Sequence, residues 1–239
     1  MRFAWYLLFL VACNANENRQ VREIGVANNT HYTKENNKDS ILYTSQIDSI
    51  KQVAKVGDII FRGGTDIESS VIRNFSYKDK LFSHCGIVLP TDSGVRVVHI
   101  LGGSTNPAGS ILYQSFEDFF AYPDNESAGI YHINLSKAEI KLISEFMDSV
   151  QKSGVRFDIK FNLFTKDKLY CTELLIDAIS FAKNNNKIFA PTVFNLNNTK
   201  YRFLSNRGEN FLFYPIDEFQ HNKTLTKKAI FYFPNYVKN

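Results

Sequence analysis

The chain has no run of lysine and arginine long enough to track a phosphate backbone, and its formal net charge is only +4 over 239 residues. An electrostatic nucleic-acid footprint is therefore excluded. A glycine-rich phosphate loop is missing too, since Gly63-Gly64 lacks the rest of any nucleotide motif. No cysteine–histidine spacing matches a zinc site, so neither metal nor cofactor is expected. Internal repeats, low-complexity blocks and a linker after residue 40 are also absent, which leaves one domain as the simplest organisation. Cysteine is scarce: Cys13, Cys85 and Cys171 are the only three. What remains is the composition of an ordinary soluble globular protein, 44% hydrophobic and 22% charged. Its 21 Phe and 12 Tyr suit a β-rich core or an apolar cleft without distinguishing the two.

The first residues depart from this pattern. Arg2 supplies a short positive region, and Phe3 to Val11 is an unbroken apolar run. As a helix that run spans only about half a bilayer, which fits a signal peptide and not a membrane anchor. No later segment is long or apolar enough to span a membrane. Leu10-Val11-Ala12-Cys13 resembles the bacterial lipobox. The resemblance implies that residues 1–12 are removed, that Cys13 is lipidated, and that the protein is a membrane-anchored lipoprotein of a bacterial cell envelope, facing periplasm or cell surface. Asn14 to Asp39 is rich in Asn, Glu, Lys and Thr, so residues 13–40 read as a flexible tether and 41–239 as the folded domain.

Within that domain, Ser45 to Val56 has helical spacing, and Asp58-Ile59-Ile60-Phe61 reads as a short strand. Thr65-Asp66-Ile67-Glu68 reads as a capping box opening a helix to about Phe75. Residues 84–89 and 95–101 are β-rich runs joined by Pro90-Thr91-Asp92-Ser93 with Gly94 behind, a hairpin signal. A further strand is expected over 128–134. Ser136-Lys137-Ala138-Glu139 is a second capping box, starting a helix to about Lys152. Cys171 to Ala182 is an amphipathic helix, and 229–233 an apolar strand.

Cys171 stands at the first turn of its helix. Free backbone N–H groups and the positive end of the helix dipole lower a thiol's pKa there and can bind a developing oxyanion. Position alone does not make it a nucleophile, because a lone helical cysteine is more often a small core residue. A thiolate nucleophile needs a base, and the base an orienting partner. Of five histidines, His31 lies in the tether, His221 in a polar turn, and His132 inside a strand, where a satisfied core residue fits as well. His84 and His99 remain. A four-residue loop over 90–93 pairs Leu89 with Gly94, and that register sets His84 opposite His99 on one face. They are then a base and its orienter, or two histidines on a solvated sheet face. The same alternation turns Cys85 to the other face with Ile87 and Leu89, a buried thiol badly placed to bridge a Cys171 that faces His84.

Gly57-Asp58-Ile59-Ile60-Phe61, Phe82-Ser83-His84-Cys85-Gly86-Ile87-Val88, Tyr170-Cys171-Thr172-Glu173-Leu174 and Tyr214-Pro215-Ile216-Asp217 follow one another in that order. The set, over roughly residues 55–220, resembles the circularly permuted papain-like amidases, the YiiX/YebB-like branch of the NlpC cell-wall peptidase superfamily. The resemblance implies an α+β, single-domain, permuted papain-like fold, with an antiparallel sheet packed against helices. It implies a cysteine amidase or peptidase with Cys171 as nucleophile, His84 as base and His99 as orienter. Tyr170 is a further candidate for lining the oxyanion site, while Glu173 is left outside the triad. The expected substrate is an amide bond in a peptidoglycan-derived peptide. A lipid acyl hydrolase or acyltransferase using the same triad is one alternative, and a non-catalytic envelope-binding lipoprotein the other.

Overall fold

Two strands that are buried along most of their length organise the structure. Ile59-Ile60-Phe61 and Ile87-Val88-Leu89 are continuous apolar runs, the pattern of strands covered on both faces. The structure, a computed structural model, describes residues 35–122, 124–165, 167–195 and 210–233, with side chains from residue 42 onward. The stretch expected to be a signal peptide, Cys13, His31 and most of the expected tether lie outside the described residues.

In chain order the elements are α1 (Glu35–Val53), β1 (Ile59–Gly64), α2 (Ile67–Asn74), β2 (His84–Thr91), β3 (Gly94–Ile100), β4 (Ile111–Gln114), α3 (Phe116–Phe120) and β5 (Asn125–Ile133). Then follow α4 (Lys137–Lys152), β6 (Arg156–Phe157), β7 (Lys168–Leu169), α5 (Cys171–Ala182), β8 (Thr192–Asn195), β9 (Asn210–Phe213), α6 (Glu218–His221) and β10 (Leu225–Tyr232). Six strands form one antiparallel sheet in the order β10-β5-β1-β2-β3-β4. Helices pack against it, so the chain is a single α+β domain.

Strand alternation sorts the core into two layers. Ile60, Val88, Val97, Ala128 and Ile130 face one way, with Ile47 and Ile50 of α1 and the phenylalanines of α3. Phe61, Cys85, Ile87, Val98 and Tyr131 face the other, under Ile143 and Met147 of α4 and Cys171, Leu174 and Leu175 of α5. A third cluster of Phe75, Phe161, Tyr170, Phe211 and Phe213 joins the β8–β9 hairpin to the start of α5.

Several boundaries differ from the sequence reading, among them that of β5, which starts at Asn125 and not at 128. Helix α1 starts at Glu35, inside the stretch expected to be tether, and stops at Val53. Its polar composition hid it: a helix with one buried seam, Ile47 and Ile50, needs no apolar residues in its outer half. At α2 the cap is Asp66, whose carboxylate accepts from Ser69 N, while Thr65 Oγ1 donates to Asp124 O. Strand β10 runs from Leu225, longer than 229–233, because pairing with β5 extends it. The Ser136 capping box and the first residue of α5 fall where the sequence put them.

Candidate active site

The hairpin that carries both histidines is tighter than expected. Thr91 pairs with Gly94 and Pro90 with Val95, so the reversal needs only Asp92 and Ser93. Gly94 has φ +101°, a conformation that glycine adopts at little cost. Pro90 is tolerated in the ladder because β1 pairs with β2 only as far as Ile87, which leaves no partner for an N–H on that side.

The register is therefore two residues away from the one read from sequence. A two-residue shift keeps side-chain parity, so His84 and His99 still share a face. Their relation is diagonal: Gly86, and not His84, lies across from His99, and a Cβ there would come 3.2 Å from His99 Cβ. The missing side chain lets the imidazoles meet, His84 Nε2 to His99 Nδ1 at 2.8 Å, with the rings at 80°. His99 Nε2 continues to Gln114 Oε1 at 2.7 Å. Phe119 of α3 packs on both rings.

Arg62, paired with His84 across the sheet, completes this face. Its guanidinium lies 3.5 Å from the Tyr122 ring centroid and 5.2 Å from that of Phe119, and Nη1 donates to Phe119 O. Among the described residues it makes no ion pair. Burial, reinforced by the Arg62 charge and then by His99, holds His84 well below the ordinary imidazole range. Burial and Arg62 likewise take His99 down to about 3, against the pull of Gln114. Both rings are neutral at physiological pH.

Cys171 lies on the other side of β2. It is only 5% exposed and belongs to the layer that includes Cys85, Ile87 and Leu174. Its sulfur is 3.9 Å from Thr172 Oγ1 and shares its layer with the Cys85 thiol. The Cys85 thiol, ahead of an opposing burial effect, holds the Cys171 pKa below the ordinary thiol value, while burial and the Cys171 sulfur push Cys85 well up. Among the described residues no hydrogen bond joins Cys171 to His84. Cys171 and the histidine pair are nonetheless neighbours through two residues. Cys85 touches Cys171 and adjoins His84 along the chain, and Arg62 feels the Cys171 charge and adjoins His84 across the sheet.

This arrangement reverses the reading of Cys85 as a bystander held away from Cys171. The two thiols, both free, are partners. Cys85→Val removes the donor, so the pH midpoint for alkylation of Cys171 by iodoacetamide is expected to rise, whereas Cys85→Ser, which keeps a donor, leaves it near wild type. Equal midpoints in all three proteins would refute the pairing.

The other candidates divide as follows. The Tyr170 hydroxyl accepts from Tyr214 N at 2.8 Å and its ring stacks on Phe213, so it is engaged away from Cys171. The N–H groups of the first turn of α5 have no intrahelical partner, as at any helix start. His132 Nδ1 meets the buried Asp58 at 2.7 Å, and His221 lies 3.7 Å from Asp217. Sequence reasoning missed Gln114 and Arg62. Arg62 left a signal, a lone charge ending the apolar run of β1. Gln114 left none, since a strand-end glutamine is ordinary.

Glu173 gives the domain an alkaline weakness. Burial, then the charge of Asp177 one turn on, raises its carboxyl to about 8 from 4.5. A raised pKa means stability present below about 4.5 and lost as pH climbs through about 8. His84 and His99 act oppositely: lowered below 6.5, they destabilise as pH falls beneath that value. Above pH 6.5 the histidines no longer contribute, so through Glu173 Tm is expected to fall between pH 6.5 and 8.5, and Glu173→Gln to flatten that fall. An unchanged slope in the variant would count against this assignment.

By sequence, no known protein family and no curated protein matches the chain. Among solved structures it is similar to the crystal structure of the metalloprotein YiiX from Escherichia coli O157:H7, with a TM-score of 0.59 and 18% identity. The match covers 74% of this chain and 97% of that one. At that identity the two share a fold.

Proposed function

We propose that this chain is a cysteine hydrolase of the permuted papain-like type, cleaving an amide bond in cell-wall peptides through Cys171. The observation that carries the reading is the Cys171 thiol itself. It sits at the N-terminus of α5, the neighbouring Cys85 thiol lowers its pKa, and a neutral two-histidine set begins at the residue before Cys85. The fold shared with YiiX, and a histidine strand that precedes the cysteine helix, support the permuted arrangement.

In this mechanism the proton of Cys171 passes to Nδ1 of His84, and the thiolate adds to the scissile carbonyl. The first-turn N–H groups of α5 stabilise the oxyanion. His84 then protonates the leaving amine, and water, deprotonated by His84, hydrolyses the thioester. No hydrogen bond joins the two in this structure, so the transfer requires that substrate binding bring Nδ1 of His84 within hydrogen-bond reach of Cys171 Sγ. A metal of the kind that the YiiX description names does not fit this site. Among the described residues no three His, Cys, Asp or Glu side chains gather as ligands, and His84 and His99 direct their facing nitrogens at each other. Acylation at Cys13 would hold the enzyme at the envelope beside its substrate.

The test is incubation of the purified protein with muropeptides and, separately, with phospholipid vesicles. Release of amino acids or short peptides, with a mass adduct on Cys171, supports the amidase. Fatty acid release transfers the same residues to lipid chemistry. No turnover of either substrate, with Cys171 inert to thiol reagents at pH 7, favours a binding protein.

A further inference from the structure

Which nitrogen of His84 is basic depends on the far end of its hydrogen-bond chain. Gln114 closes β4, opposite Val97. Its Oε1 lies 2.7 Å from His99 Nε2, and His99 Nδ1 lies 2.8 Å from His84 Nε2. An amide oxygen only accepts, so His99 Nε2 carries the hydrogen. A neutral His99 then has a bare Nδ1, which accepts from His84 Nε2–H. The only lone pair left on the His84 ring is at Nδ1. Were the amide reversed, with its NH₂ toward His99, every hydrogen in the chain would move over, and His84 would carry its proton on Nδ1 with no base left there.

We infer that Gln114 is a positioning residue, fixing both imidazoles as their Nε2–H tautomers and so leaving Nδ1 of His84 as the basic nitrogen. The inference rests on His84 being the base, but the tautomers exist whether or not the protein turns over. Two features make the device effective. His99 is fully buried, so water cannot supply a competing acceptor at its Nε2. Arg62 beside the pair disfavours imidazolium, so the chain is held neutral and its direction is set by the amide. A carboxylate at position 114 would orient the rings in the same way only while His99 stays neutral, and it favours a second proton on His99, whose Nδ1–H would then donate to His84 Nε2 and reverse its tautomer.

Protein labelled with ¹⁵N at histidine, examined at pH 7 through two-bond ¹H–¹⁵N couplings, reads this directly, with His84→Asn and His99→Asn used to assign the signals. In wild type both rings are expected as Nε2–H tautomers. Gln114→Leu is expected to scramble His99 and to reduce kcat about ten- to a hundred-fold at near-constant KM. Gln114→Glu keeps the acceptor, so it retains the His84 tautomer above the pH at which His99 titrates, and it raises that pH. A wild-type His84 protonated on Nδ1 overturns the inference without recourse to any variant. So does a Gln114→Leu protein whose tautomers match wild type. Should the tautomers respond as expected while no substrate is turned over, the catalytic reading fails and the role of Gln114 stands.

Discussion

Replacing Cys171 with alanine is expected to lower kcat/KM for the cleaved amide by about 10⁴-fold or more, because no other group in the site can form the covalent intermediate. The fold should survive. Alanine has high helix propensity at the first turn of α5, and loss of one buried sulfur costs roughly 1 kcal/mol, a shift of a few degrees in Tm. Cys171→Ser is nearly as inactive, since a hydroxyl at a helix N-terminus stays far from ionised at neutral pH. Cys85→Ala is the informative partner. It leaves Cys171 in place and removes only the neighbouring thiol that lowers its pKa, so its rate should fall modestly at pH 7 and recover as pH rises. Steady-state rates for the three variants, with circular-dichroism melts to confirm folding, decide the matter. A Cys171→Ala protein that keeps more than a tenth of wild-type activity rules Cys171 out as nucleophile.

The contrast between Cys85 and His84 shows what the sequence could and could not convey. Capping chemistry and periodicity are local, and they placed α4 and the start of α5 correctly. The shared face of His84 and His99 was legible too, although the register behind it was wrong by two residues, because parity is blind to an even shift. Facts that depend on which helix covers which face were not legible. Alternation correctly turned Cys85 away from His84, but nothing along the chain says that α5 lies on the Cys85 face and not the other. Gln114 was hidden for a similar reason: the loop after β3 returns β4 to its edge, and only the returned register sets the amide against His99. Tyr170 was misjudged because its hydroxyl meets the backbone of Tyr214, a partner 44 residues away.

The second large effect concerns Asp217, which ends the Tyr214-Pro215-Ile216-Asp217 segment. Although it stands at the N-cap of α6, its side chain does not cap that helix. The fully buried carboxylate accepts instead from three consecutive backbone N–H groups: Tyr77 at 2.9 Å on Oδ1, and Lys78 at 2.6 Å and Asp79 at 3.0 Å on Oδ2. Those residues belong to the segment that leads from α2 into β2, so the carboxylate helps to fix where the chain enters the strand that starts at His84. Asp217→Ala leaves three buried donors without an acceptor, at roughly 1–3 kcal/mol each before any water enters. With partial rehydration the expected loss is about 3–5 kcal/mol, or roughly 6–20 °C in Tm for a domain of this size. Asp217→Asn should be nearly as costly, because its NH₂ group would face donors. A simple helix cap would cost only about 1 kcal/mol, so urea or thermal unfolding separates the two roles. Since the clamp holds the approach to His84, Asp217→Asn is also expected to lower kcat at temperatures well below its melting point. An Asp217→Ala protein that melts within about 2 °C of wild type would show that the three N–H groups find other partners, and that the clamp does not hold the entry to the site.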